Sequence, residues 1–127
     1  MKLLHGIDIV SVSRLQKTIE RQGASSFLSR VFTTQERAYC EPRKRKFEHY
    51  AARFAAKEAV MKALGVSKKK VCGFLEIEIL RAPTGKPFVR LDSRVRKCFH
   101  LSSKTKIEIS LSRDFELAVA SVLIYQP

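Results

Sequence analysis

From Phe47 to Leu64 the chain runs without glycine or proline, is dense in Ala, Lys, Glu, Met and Leu, and stops at Gly65. Strong helix formers closed by a residue that can cap in the left-handed region predict one long helix over that span. Its large apolar residues, Phe47, Tyr50, Phe54, Met61 and Leu64, recur at steps of three, four and seven, as one helix face requires. Beside them Ala51, Ala55, Glu58 and Lys62 form an adjacent stripe. The two alanines would let another element come close, and Glu58 and Lys62 project from the following turns at the edge of the apolar face. Taken alone, Glu58 and Lys62 are an ordinary i,i+4 pair worth roughly a few tenths of a kcal/mol.

A second segment changes their meaning. Leu3 to Val12 reads as a strand, with Leu4, Gly6, Asp8 and Val10 on one face and His5, Ile7 and Ile9 on the other. His5 is therefore expected as a packed or edge histidine rather than a ligand. Asp8 stands inside the apolar run Gly6-Ile7-Asp8-Ile9-Val10. Aspartate is depleted in strands, and its charge is costly to bury without a partner. A cation shared by Asp8 and Glu58 resolves both oddities. Two carboxylates, with the remaining positions left to water and phosphate oxygens, suit Mg²⁺.

Gly-Ile-Asp-Ile-Val at 6–10, Arg-Phe-Ala-Ala-Lys-Glu-Ala at 53–59, Gly-Lys-Pro at 85–87 and Ser-Leu-Ser at 110–112 follow in that order. Together they resemble the bacterial holo-[acyl-carrier-protein] synthases, the small class of 4′-phosphopantetheinyl transferases, over nearly the whole chain. The resemblance implies transfer of 4′-phosphopantetheine from coenzyme A to a serine of apo-acyl carrier protein, for fatty acid biosynthesis. It implies Mg²⁺ on Asp8 and Glu58, with Lys62 reaching a phosphate oxygen, and a homotrimer whose sites lie between subunits. Arg53 and the Gly85-Lys86-Pro87 turn are implied around the nucleotide. The first helix is implied as the docking ridge for the acidic carrier, which carries over to Arg14 and Arg21. Ser112 and Arg113 stand where relatives usually have Ser-His. Arg113 keeps the positive charge and fixes it, so phosphate binding is expected there while any titrating histidine is lost. Ala38 stands where some relatives carry an acidic residue, so a general base from that position is absent.

A length of 127 residues fits one domain with a modest core. No run of apolar residues is long enough to span a membrane, and no signal-peptide pattern opens the chain, so a soluble cytoplasmic protein is expected. Cys40, Cys72 and Cys98 are widely spaced and form no C-x-x-C pair, which favours reduced thiols over a disulfide or zinc site. The net charge of +13 calls for a polyanionic partner without choosing among nucleic acid, an acidic membrane, an acidic protein or a phosphorylated ligand.

Ser11 or Ser13 can cap a helix running to about Arg21, where Arg14, Lys17 and Arg21 make one basic face. Thr33 to Glu36 has the form of a capping box opening a helix to about Glu41, and the reciprocal cap accounts for Glu36. Phe74 to Leu80 alternates as a half-buried strand, with Leu75, Ile77 and Ile79 on one side and Glu76 and Glu78 on the other. A turn at 83–87 leads into a strand over Phe88–Leu91, a short helix runs from Asp92 or Ser93 to Leu101, and strands cover Lys106–Ser112 and Leu117–Tyr125. Helices in the first half and mostly antiparallel strands in the second, joined by the N-terminal strand, make a single α+β domain, an antiparallel sheet with a long central helix.

Glu58 is the candidate general base, directly or through a water held on the metal. Two other functions fit parts of the chain. A small nucleic-acid-binding module suits the charge and the basic runs at 43–46 and 68–70. It leaves Asp8 and the Glu58/Lys62 placement unexplained, and no aromatic residues interleave the run at 43–46 for base stacking. A homologue that binds coenzyme A without turning it over is compatible with Arg113 and Ala38.

Overall fold

The computed structural model describes residues 1–127. In chain order the elements are β1 (Lys2–Ser11), α1 (Val12–Gln22), α2 (Ala24–Val31), α3 (Thr34–Cys40) and α4 (Lys46–Leu64). A 3₁₀ turn at Phe74–Glu76 then leads to β2 (Ile77–Arg81), β3 (Pro87–Leu91), α5 (Ser93–Cys98), β4 (Lys106–Arg113) and β5 (Leu117–Gln126). The fold is α+β, with two antiparallel sheets rather than one. β5 lies between β1 and β4, and β2 pairs only with β3. No helix is long and apolar enough to cross a membrane.

Helix α4 is the hub. Its buried residues are not the large apolar stripe expected from the spacing. Phe47, Phe54, Met61 and Leu64 stay half-exposed, while Ala51, Ala52, Ala55, Ala56, Ala59 and Ala63 are buried together with Tyr50 and Val60. The reason is distance. On β1, a Cβ added to Gly6 would sit 1.9 Å from the Ala59 carbonyl oxygen. Backbone meets backbone there, and only small residues permit it. Gly65 ends α4 in the left-handed region at φ 74°, its N–H donating to the Met61 and Lys62 carbonyls.

The caps form as read. The Ser11 side chain accepts from the Arg14 N–H. The Thr33 side chain accepts from the Glu36 N–H while Glu36 Oε1 accepts from the Thr33 N–H. Two boundaries differ by more than a residue. The expected strand from Phe74 begins only at Ile77, because Glu76 turns back to accept from the Gly73 N–H and pairs with Arg94. Leu75 is accordingly exposed. Helix α5 ends at Cys98 rather than Leu101, where His100 adopts φ 55° and turns the chain. The three cysteines are unpaired, and burial pushes the Cys40 and Cys72 thiols up to about 11.

One polar contact crosses the core. Lys57 of α4 and Glu36 of α3, each side chain fully buried, form an ion pair at 2.7 Å. Lys57 Nζ also donates to the Phe74 and Ile77 carbonyls at 2.8 and 2.7 Å, and Glu36 Oε2 accepts from the Ile79 N–H at 2.8 Å. Glu36 is thus more than the cap expected of it: it joins α3, α4 and β2. Removing one member of such a pair typically costs about 3–5 kcal/mol, because it leaves an uncompensated buried charge.

Gly6→Ala is expected to destabilise the protein by about 3 kcal/mol or more in denaturant unfolding, by forcing β1 off α4. A variant with the wild-type midpoint would show that the close approach is not required.

Candidate active site

The β1–α4 contact brings Asp8 and Glu58 together. Asp8 points inward from β1, two residues beyond Gly6, and Glu58 precedes Ala59 on the facing helix. Both line one open groove of about 400 Å³, together with Arg14 and Thr18 of α1 and with Phe27 and Phe54. Burial raises the Glu58 carboxyl above its ordinary value, the Asp8 charge adds to the rise, and Lys62 opposes it. Two carboxylates facing each other in this way hold a surplus of negative charge that a cation relieves.

Part of that relief is internal. Lys62 Nζ stands 2.9 Å from Asp8 Oδ1 and donates to the Ile7 carbonyl at 3.0 Å. Its side chain is 55% exposed, so the ammonium is free to swing toward a ligand. The donor set is all oxygen, and no cluster of three or more His, Cys, Asp or Glu forms anywhere in the chain. Two hard oxygen ligands beside open solvent fit Mg²⁺, which keeps several waters and takes phosphate oxygens as partners. They do not match a structural Zn²⁺ site, which is closed by four protein ligands, mostly cysteine sulfur and histidine nitrogen.

The other expected residues lie in neighbouring grooves. Arg113 pairs with Glu48 at 2.7 Å, and Arg45 also approaches Glu48, at 3.9 Å. Arg45 stacks over Phe115, and a groove of about 480 Å³ opens there beside Arg43, Lys44 and Lys46. Ser112 is exposed on β4 one residue before Arg113. Arg53, only 2% exposed, lies over the Tyr39 ring at 4.1 Å and leaves its Nε without a partner. Arg43 and Arg81 flank the same ring at 3.6 and 5.2 Å. Arg53, Tyr39 and Arg81 line one pocket with Phe88. Burial, and then the fields of Arg113, Arg53, Arg43 and Arg81, hold His49 down at about 4, so this region is strongly positive around a neutral imidazole.

The Gly85-Lys86-Pro87 turn is built by Gly85 at φ 89°, and Lys86 pairs with Glu108 at 2.9 Å. Lys86 and Pro87 line a separate small pocket that shares Phe88 with the Arg53 pocket. Arg14 and Arg21 are exposed on α1. Arg14 borders the carboxylate groove, whereas Arg21 lies on the last turn, away from it. Within one chain, then, Asp8, Glu58, Lys62 and Arg14 converge, while Arg53 and Lys86 line two other pockets and Arg113 pairs with Glu48 beside a third. Residue spacing did not reveal Tyr39, Arg43 and Arg81 as companions of Arg53, because three separate elements bring them together.

An antiparallel α+β domain with a two-carboxylate cleft on its central helix, ringed by basic grooves, is the arrangement of a phosphopantetheinyl transferase. Residues 5–120 match the family model of the 4′-phosphopantetheinyl transferase superfamily, and the chain belongs to that superfamily. Within it, the chain is similar to holo-[acyl-carrier-protein] synthases. It is 45% identical to that of Ruminiclostridium cellulolyticum over 125 residues, covering 98% of this chain and 92% of the relative. To that of Moorella thermoacetica it is 44% identical over 119 residues, 94% of this chain and 91% of the relative. The crystal structure of the Helicobacter pylori holo-[acyl-carrier-protein] synthase in complex with coenzyme A superposes with a TM-score of 0.83 at 33% identity, covering 96% of this chain and all of that one.

A carboxyl whose folded pKa lies above its unfolded value binds its proton more tightly when folded. Its stabilisation is complete below the unfolded value and is lost as pH rises through the folded one. Glu58→Gln should therefore raise the melting temperature at about pH 8 and give no gain at about pH 4, where the wild-type carboxyl is already protonated. Equal effects at both pH values would reject the strained carboxylate.

Proposed function

We propose that the protein is a holo-[acyl-carrier-protein] synthase that moves 4′-phosphopantetheine from coenzyme A to a serine hydroxyl of apo-acyl carrier protein, serving fatty acid biosynthesis. The observation that carries this is the meeting of Asp8 and Glu58 in one groove, with Lys62 in reach, inside a chain of this superfamily. In the reaction the serine oxygen bonds to the β-phosphorus of coenzyme A, the bridging P–O bond breaks, and adenosine 3′,5′-bisphosphate leaves with the electron pair.

Asp8 and Glu58 are the residues that would hold Mg²⁺, which when bound neutralises pyrophosphate charge and polarises the reacting phosphoryl group. Glu58 takes the serine proton, directly or through a water. Lys62 leaves Asp8 for a phosphate oxygen and stabilises the charge on the leaving group. Arg53, Arg113, Ser112 and the Gly85-Lys86-Pro87 turn hold the nucleotide part of coenzyme A. The buried, unpartnered Nε of Arg53 and the positive field around His49 support anion binding there. Arg14, at the rim of the carboxylate groove, and Arg21 on the same helix receive the acidic carrier protein.

The working form is a homotrimer with sites between subunits. Two features support this. The outer face of the β1–β5–β4 sheet exposes Leu3, Ile7, Ile9, Leu117, Leu123 and Tyr125, an apolar surface that a second copy would cover. The basic residues also line grooves separate from the carboxylate groove, and subunit contacts would let groups from two copies serve one substrate. Replacing Ile7 by Glu should turn a trimer into monomers in sedimentation equilibrium. A wild-type monomer, or an unaffected variant, would count against the assembly.

Incubation with apo-acyl carrier protein, coenzyme A and Mg²⁺ should add a phosphopantetheine mass to the carrier, and EDTA should abolish the transfer. Asp8→Asn should lower kcat about a hundredfold or more. Arg14→Glu should raise KM for the carrier and leave that for coenzyme A unchanged. An Asp8→Asn variant with full turnover would refute the metal assignment, and no transfer by the wild-type protein would refute the function.

A further inference from the structure

The Lys57–Glu36 pair is fully buried, and the proposed chemistry uses neither residue. Its four polar links run to particular places. Lys57 donates to the carbonyls of Phe74 and Ile77, and Glu36 receives the N–H groups of Ile79 and Thr33. The three elements so tied, α3, α4 and β2, are the ones that carry Tyr39, Arg53 and Arg81. Tyr39 lies one turn beyond Glu36 on α3, and Arg53 one turn before Lys57 on α4. Arg81 follows Ile79 by two residues on β2. The pair is therefore tied to the pocket that these three side chains line, through Ile79, which lines it too.

The tie also reaches the cleft. Phe74, whose carbonyl Lys57 holds, stacks on Phe54 at 5.4 Å between ring centroids, and Phe54 lines the groove with Asp8 and Glu58. On the outer side, Thr33 Oγ1 donates to Glu78 Oε2 at 2.6 Å, and Arg90 pairs with the other oxygen of Glu78. The network thus continues into β3, which begins at Pro87 of the nucleotide turn.

We infer that Lys57 and Glu36 are positioning residues for coenzyme A: their ion pair fixes Arg53, Tyr39 and Arg81 in one anion-binding arrangement and ties the β2–β3 hairpin to the helix that carries Glu58. Directional bonds to backbone atoms fix registry in a way apolar packing does not, and an anion pocket made by three elements depends on that registry. The inference rests on the coenzyme A reading above. It adds that a residue with no surface exposure sets affinity for that substrate and leaves affinity for the carrier alone.

The test is a comparison of Lys57→Met with Val60→Ala, a buried truncation on the same helix that loses stability without touching the network. Both are assayed well below their melting temperatures, with the folded fraction checked by circular dichroism. Lys57→Met should raise KM for coenzyme A about tenfold, with KM for the carrier and kcat at saturating coenzyme A within about twofold of wild type. Val60→Ala should change neither KM. If Lys57→Met does not fold, Glu36→Gln, which keeps a carbonyl to cap Thr33, should raise KM for coenzyme A alone by a smaller factor. A fall in kcat with both KM values unchanged would overturn the inference, since that is what mere loss of folded protein produces. Arg53→Ala separates the two failures. If it raises KM for coenzyme A and Lys57→Met does not, only the positioning role falls; if Arg53→Ala leaves KM unchanged, the assignment of the pocket itself falls.

Discussion

Gly6 lies against the backbone of α4 with room for a hydrogen and nothing larger. Most of the site follows from that contact. It needs the alanine-rich flank of α4, since larger residues at 55, 59 and 63 would hold the strand away. It also fixes the register between the two elements, so that Asp8 faces the turn carrying Glu58. A carboxylate pair of this kind is unfavourable by itself, and the raised Glu58 pKa records the strain. Tight packing elsewhere supports the arrangement: β1 is zipped along its whole length to β5, and α4 packs against both strands.

Charge is divided over the molecule in a way that suits a dianionic group passing between two partners. The carboxylates line one groove with Lys62 paired to Asp8, while Arg43, Arg45, Arg53, Arg81 and Arg113 gather around Tyr39, His49 and Glu48. Arginine suits that second region, because a guanidinium both stacks on an aromatic ring and offers a fork of donors to phosphate. Arg113 shows both sides of this. Glu48 holds it at 2.7 Å, and the proposed binding of coenzyme A would exchange that carboxylate for a phosphate.

The sequence made legible what depends on local chemistry and period. The α+β layout, the long helix and its Gly65 stop, the Ser11 cap and the Thr33–Glu36 box follow from short-range pattern, whereas Asp8 and Glu58 were joined by the cost of an acidic residue in an apolar strand and by the family resemblance. What stayed hidden is tertiary. Lys57 reads as a routine charged helix residue beside Glu58, and its burial appears only once the segment 74–77 is seen to cross over it. Glu36 was satisfied on paper by its cap, which concealed its second oxygen and the tie to Ile79. The alternation of Phe74–Leu80 suggested a longer strand because hydrophobic period does not register that Glu76 caps Gly73 and pairs with Arg94. The buried stripe of α4 was misread for a related reason. Spacing rewards large apolar residues, whereas a helix gripped at backbone distance buries its small ones.

The most direct measurement is electron–nuclear double resonance on the protein loaded with Mn²⁺ and coenzyme A, with ³¹P as the reporting nucleus. Asp8 and Glu58 gripping one cation against the pyrophosphate predict a strong ³¹P coupling at a single bound Mn²⁺, absent when Glu58 is replaced by Gln. Mn²⁺ bound equally well by that variant with the same coupling, or bound in the wild type with no phosphorus in contact, would contradict it.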